Sequence, residues 1–476
     1  MDRREFSKKA GLATGGALII NPAYAMFNQK DKAFVSKRPP VNKRLFTSEA
    51  VEKVIVDVKK QLKDPKTAWL FENCFPNTLD TTVYYKEKDG KPFTYIITGD
   101  IDAMWLRDCV CQVWPYMPYL NEDEKLKRMI AGLINQTVKS VIWDPYACCF
   151  YDDFERVSSW STEKYPVKPG VHHQKWEINS LLFVIRLCDA YYKITKDTTP
   201  FDDVWEEAML TIVKTLKEQQ RFHGPGPYKH ARNYGDNYEY FVNHGYGRPT
   251  RKNGMIHATH RQDDPCILPL YVPDNLMAIV ELENLANMFR TFKNNEEGAR
   301  SCEVMRKQIM AGVEKDAIIE HEIFGKIFAF EVDGYGGRIL EEESTVPNLM
   351  NLPYIGYCDI DYPIYKNTRK WLLSEWNPQY IKGEWTEGIG STHYPQPPQR
   401  IWPLSTISRA LTTEDDDEIK FCLNQLRNTD AGTGFIHESY VVDKPEEYTR
   451  SWFAWVNSFY GEMILKLLKE KPHLLT

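Results

Sequence analysis

A chain of 476 residues with 60 basic and 66 acidic side chains, net charge −6, has room for a large core and no electrostatic bias toward nucleic acid. No run of Lys and Arg suits a membrane surface, and ten cysteines without a C-x-x-C pair argue against a disulfide scaffold or a zinc ribbon. Aromatic residues make up 13% of the chain, with 13 Trp and 27 Tyr; such rings fill a core or stack on the C–H faces of sugars.

The first segment reads as an address. Arg3-Arg4-Glu5-Phe6-Ser7-Lys8 has the twin-arginine form, an apolar run follows over 10–20, and Ala23-Tyr24-Ala25 is an A-x-A cleavage site. An ordinary Sec signal is the alternative. The run is too short to span a bilayer. The expectation is a signal over 1–25 with cleavage after Ala25, and a mature protein, periplasmic or secreted, without membrane insertion.

Beyond it the pattern is helical. Val51, Val54, Ile55, Val58 and Leu62 share one face. Asn121-x-x-Glu124 predicts a helix start of the capping-box kind, continued by Leu126, Met129, Ile130, Leu133, Ile134, Val138 and Val141. Further helices are predicted after Trp105 and over about 176–196, 201–221, 274–292, 296–316, 362–375, 404–411, 415–428 and 449–470. Strand-like runs occur only at 93–97 and 327–332. With no linker and no clean repeat, about a dozen helices joined by long aromatic loops predict a single all-α domain over 26–476, with alternating helices closed into a double ring.

Long loops inside a compact domain are usually functional. Here they cover 144–174, 222–268 and 377–402. Four polar, aromatic clusters precede helical patterns: TGDIDAMWLRD, RQDD, GEWTEGIGSTH and GTGFIHESY. In a helical ring such loops open on one face. Paired carboxylates from different loops are what glycoside hydrolysis requires, one as a protonated acid and the other as base or nucleophile. Asp263 and Asp264 are adjacent, and like charge and burial raise a carboxyl pKa while Arg261 opposes them. Each acid, and Glu438, is otherwise read as an exposed loop or cap residue. His257-x-x-His260 with Asp263, or His172-His173, offers only a weak metal set, and no EF-hand spacing, nucleophile elbow or phosphate loop is present.

The blocks TGDIDAMWLRD, FAFEVDGYG, VPNLMNLPYIGYC, IWPL, GTGFIHES and RSWFAWVN resemble glycoside hydrolase family 125, in consistent order from about residue 73 to 467. The resemblance implies an (α/α)6 barrel with a few short strands at one face. It also implies an inverting, exo-acting α-1,6-mannosidase that needs no metal or cofactor and takes a mannose-containing glycan. Asp263 falls on the family's general acid and Glu438 on its general base. Trp105, Arg107, Asp108 and His393 fall on sugar contacts, and Arg261, Asp264 and His437, which flank the two acids, are grouped with them as substrate-binding. Two departures stand out. The acid block reads H-R-Q-D-D, with His260 in place of Phe and one residue fewer, and Lys175-Trp-Glu-Ile-Asn-Ser180 carries Asn179 where the family has an acid. Another exo-glycosidase on the same barrel, or a non-catalytic glycan-binding relative, are the competing readings.

Overall fold

The computed structural model describes residues 34–162, 164–231, 242–394 and 397–476. The signal-like segment 1–25 lies outside them. Ser36–Thr476 forms one compact unit.

Thirteen α-helices are present among the described residues: α1 (Glu49–Gln61), α2 (Pro65–Cys74), α3 (Asn77–Thr81), α4 (Leu106–Val113), α5 (Glu124–Trp143), α6 (Ile178–Thr195), α7 (Asp203–Gln219), α8 (Val272–Met288), α9 (Glu296–Gly312), α10 (Pro363–Leu372), α11 (Pro403–Leu411), α12 (Asp416–Asn428) and α13 (Ala454–Glu470). Helix α4 packs on α6 and α13, α6 on α8, and α11 on α13, which makes an inner ring. Outside it α5 packs on α7, α7 on α9, and α12 on α2. The chain alternates between the rings, so the architecture is an (α/α)6 barrel.

The sixth inner position is not a helix. Between α9 and α10 the chain runs as a series of turns over 344–358. Pro347 and Pro353 cannot supply helical N–H donors. The segment still buries Val346, Leu349, Met350, Leu352 and Ile355. Asn348 and Asn351 bond each other's backbone N–H reciprocally at 3.0 and 2.9 Å, and Glu342 accepts from Leu349 N at 2.9 Å. Side chains thus satisfy the amides that a helix would have paired.

The two rings start their helices differently. The outer helices α2, α5, α7, α9 and α12 are each capped by a side chain: Asp64, Asp123, Asp202, Asn295 and Asp415 each accept from a first-turn N–H. Asp123, not Asn121, caps α5, because its carboxylate accepts from Leu126 N at 3.0 Å. Asn121 instead donates to Ile194 O. The inner helices begin after Trp105, Glu177, Tyr271, Trp402 and Phe453, none of which makes a side-chain cap. Carbonyls of neighbouring loops fill in: Leu106 N donates to Cys148 O, Val272 N to Phe330 O and Ala454 N to Thr98 O. Short ladders deliver the first two carbonyls, pairing 104–105 with 149–150 and 270–271 with 331–332, and a bridge between Gly99 and Phe453 delivers the third; another ladder pairs 400–401 with 440–441 ahead of α11. Most of these strands are two or three residues long, too short for an alternating pattern to reveal them. Together they build the face on which the inner helices begin, and the positive ends of those helices point there.

Candidate active site

Asp263 sits at the tip of a hairpin. His260 pairs with Pro265 and Arg261 with Asp264, so Gln262 and Asp263 form a two-residue turn. Gln262 has φ +45°. Two-residue hairpins require positive φ at the first turn position, and a residue with a Cβ gives up about 1–2 kcal/mol there. Gln262 is held by its amide, which donates to Pro347 O at 3.0 Å. The shortened H-R-Q-D-D block is therefore a tight turn that lifts one acid clear of the sheet. The Asp263 side chain keeps 40% of its surface open, against 18% for Asp264.

The two acids are unequal. Asp264 Oδ1 lies 3.1 Å from His393 Nδ1, and its Oδ2 accepts from Thr392 Oγ1 at 3.4 Å. Asp263 faces cations. Burial pushes its carboxyl up, but Lys175, Arg107, His393 and His173 together outweigh that and hold it well below the usual carboxylate range.

Glu438 lies on the loop that leads into the strand Ser439–Val441 and is 5% exposed. Its Oε2 accepts from Tyr394 Oη at 2.6 Å and from Thr449 Oγ1 at 3.0 Å, and Arg450 Nη1 is 3.5 Å from Oε1. Arg450, at φ +50°, is fixed by Asp100 (2.5 Å) and Thr98 (3.0 Å).

Asp108, in the first turn of α4, stands between the two acids electrostatically. Burial foremost pushes its carboxyl up to about 6; Asp263 and Glu438 add to the rise, and Arg107 and Arg450 oppose it. His393 faces Asp264, Asp263 and Glu438. Burial disfavours its charge, but the hydrogen bond to Asp264 and the three carboxylates raise it to about 9. It is thus an imidazolium at neutral pH. This pairing stabilises the fold fully below the ordinary histidine value of about 6.5 and is lost as pH rises through about 9. A carbon-13 NMR titration of the His393 ring is expected to place its midpoint near 9 and to move it down in Asp264→Asn. A midpoint near 6.5 in both proteins would refute the pairing.

Asp108, Asp263, His393 and Glu438 therefore converge, with Asp264 behind His393. Trp105 is 6% exposed, edge-on to His172 and His173 at 5.4 and 6.0 Å, and its indole N–H has no acceptor among the described residues. Three assigned contacts are turned inward instead. Arg261 is 3% exposed, and its guanidinium donates to Glu331 (3.0 Å), Glu343 (2.9 Å), Thr392 (3.1 Å) and Pro265 O. It anchors the hairpin from below through both Nη groups, and its Nε–H is buried without an acceptor among the described residues. His437 stacks on Tyr448 at 3.6 Å and bonds Thr433 and Arg450 O, and burial lowers its pKa. Its role here is to hold the Glu438 loop. Arg107, 2% exposed, bonds Glu177 at 2.7 Å and lies behind Asp263 as a fixed charge.

Asn179, the second departure, has a local reason. Its Nδ2 donates to both oxygens of Asp274 (3.1 and 2.9 Å) while its Oδ1 accepts from Arg107 at 3.2 Å. An acid at 179 would face Asp274, whose carboxyl burial already pushes up to about 7. His257 and His260 are buried and bond Arg248 O and Thr259 Oγ1. Among the described residues no group of three or more His, Cys, Asp or Glu is arranged to hold a metal ion. Lys175, Glu177, Tyr394, Thr449 and Arg450 were missed as site residues, although Lys175, Glu177 and Arg450 lie inside blocks singled out above and Tyr394 follows His393 directly.

A helical double ring whose loop face gathers two acids from separate loops, a cationic histidine and an indole is the architecture of a glycoside hydrolase. The family model for metal-independent α-mannosidases, GH125, matches residues 64–465. The meiotically up-regulated gene 157 protein of Schizosaccharomyces pombe is 38% identical over 458 residues, 92% of this chain and 89% of the yeast protein. A Streptococcus pneumoniae structure, described as a metal-independent α-mannosidase in a non-productive complex with α-1,6-mannobiose, superposes with TM-score 0.85 at 33% identity; the match covers 90% of this chain and all of that one. A bacterial glucoamylase complexed with acarbose matches at TM-score 0.55 and 11% identity over 88% of this chain and 58% of the glucoamylase, a likeness of fold alone. This chain belongs to glycoside hydrolase family 125, the metal-independent α-mannosidases.

Proposed function

We propose that the chain is an exo-acting α-1,6-mannosidase that removes terminal mannose from mannose-containing glycans in a single inverting step. The observation that carries this reading is the contrast between two acids on separate loops. Glu438 is held by hydroxyl donors, and Asp263 is raised on a hairpin tip among cations. In this scheme Glu438 takes a proton from water as the water attacks the anomeric carbon, and Asp263 gives its proton to the departing oxygen. Tyr394 and Thr449 occupy Oε2, so in this scheme Oε1, which Arg450 approaches at 3.5 Å, takes the proton from the water.

Asp263 must be protonated to act, whereas the free site holds it ionised. Substrate changes that balance in one direction: a sugar in the cleft excludes the water that stabilises a carboxylate, and burial already acts upward on Asp263. Acid–base catalysis supplies about 10²- to 10⁴-fold, and the remainder of the barrier falls to charges aimed at the oxocarbenium-like state. His393, Asp108 and Trp105 are the proposed sugar contacts. The α-1,6 linkage is supported by the ligand of the S. pneumoniae relative. The ionised Asp263 in its altered block is also the best support for the competing reading, a glycan-binding relative without turnover.

Incubation with α-1,6-mannobiose and a panel of other α-linked disaccharides separates these readings. Free mannose from the first alone is the expected result. Binding without release would establish the second. The proposed location is the periplasm or the exterior, supported by the Arg3-Arg4 signal. N-terminal sequencing of the exported protein is expected to begin at Met26.

A further inference from the structure

Three consecutive residues ahead of α6 each hold a different part of the site. Trp176 grips the base of the Asp263 hairpin: its carbonyl accepts from Thr259 N and His260 N, and its indole donates to His257 O at 2.6 Å. Glu177 accepts from Arg107, the charge behind Asp263. Lys175 reaches the tip. It is 5% exposed, and its Nζ donates to the backbone carbonyl of Asp263 at 2.5 Å and lies 3.7 Å from the carboxylate Oδ1. The tip needs such a tie, because Gln262 beside it holds a backbone conformation that L residues disfavour.

We infer that Lys175 is a positioning residue for the proposed proton donor: its ammonium ties the hairpin tip through the Asp263 carbonyl and stands 3.7 Å from the Asp263 carboxylate. The inference rests on the reading of Asp263 as general acid. Other groups face that carboxyl: Arg107 and Asp108 on α4, Cys148 and Cys149 from the neighbouring chain segment, His173, Glu177, and His393 from the 391–394 loop. Lys175 also bonds the Asp263 backbone. One side chain thus acts both on where the acid stands and on when it holds its proton.

Wild type, Lys175→Met, Lys175→Gln, Lys175→Arg and Asp263→Asn are compared on α-1,6-mannobiose and on α-mannosyl fluoride, whose leaving group departs without a proton. For Lys175→Met the expected result is a fall in kcat on mannobiose of about 10-fold or more with KM within about threefold, and a much smaller fall on the fluoride. The basic limb of its kcat/KM profile moves to higher pH, because removing a cation lets Asp263 keep its proton. Lys175→Gln keeps a donor for the carbonyl and is expected to move the limb with less loss of kcat. Lys175→Arg keeps the charge and is expected to leave the limb in place. Equal losses on both substrates with an unmoved limb, or no loss at all, would overturn the inference. Carbon-13 NMR of labelled aspartate reads the Asp263 carboxyl without activity: its titration moves up in Lys175→Met if the inference is right and stays put if it is wrong. Full mannobiose activity in Asp263→Asn would instead remove Asp263 as the acid, a failure of the functional reading that the NMR titration keeps separate.

Discussion

Glu438→Gln is expected to lower kcat on α-1,6-mannobiose by about 10²- to 10⁴-fold while the fold and glycan binding persist. The amide is nearly isosteric and can still accept from Tyr394 and Thr449, so the loop geometry survives. What disappears is the ability to take a proton from water. Asp263→Asn is expected to lose a comparable factor on mannobiose, but little on α-mannosyl fluoride, where no proton is needed. The leaving group thus separates the two roles. Steady-state kinetics on both substrates, with calorimetric titration of mannobiose, provides the check. Loss of glycan affinity together with activity would point to a collapsed site. Near-normal turnover by either variant would remove that residue from its role.

The second large effect concerns stability. Arg261→Leu is expected to destabilise the protein by about 3–5 kcal/mol, because it strands two carboxylates in the core. Glu331 is fully buried and Glu343 is 2% exposed, and both depend on the Arg261 guanidinium. Burial pushes the Glu331 carboxyl up to about 7 even with Arg261 beside it. Without the cation, Glu331 is driven further toward its protonated form. The loss is therefore expected to be larger at high pH than at low pH. Urea unfolding at two pH values measures both the size and the trend. Loss of less than about 1 kcal/mol, with no pH trend, would show that the network is not a support of the hairpin. Since Arg261 holds the hairpin from below, the variant is also expected to lose activity at temperatures where it remains folded.

Much of this architecture was legible in the sequence, and the reasons are particular. Helix α5 announces itself because seven apolar residues, from Leu126 to Val141, recur at helical spacing, and all seven are buried. Its start was misplaced by two residues because Asn121 and Asp123 are both plausible caps, and only the fold shows which carboxylate or amide reaches Leu126 N. The irregular sixth inner position was hidden. VPNLMNLPYIGYC reads as a distinctive block, but nothing local says that Asn348 and Asn351 satisfy each other's backbone in place of a helix. The acids of the site were visible as residues, yet their inequality was not. Asp263 and Asp264 look alike in sequence; the left-handed turn at Gln262 turns one toward Lys175 and Arg107 and leaves the other hydrogen-bonded to His393. Arg261 and His437 sit next to the two central acids and so invited a role in the cleft. Their partners, Glu331, Glu343 and Tyr448, come from elsewhere in the chain and draw both side chains inward. Adjacency in sequence places a residue near a site but does not say which way its side chain faces.

The central claim is that two unequal carboxylates hydrolyse an α-mannoside in one displacement. Proton NMR of the anomeric signals during cleavage of α-1,6-mannobiose tests it most directly. The account predicts that β-mannose appears first from the cleaved terminal sugar, with the α anomer following only at the rate of mutarotation. Release of α-mannose as the first product would contradict it.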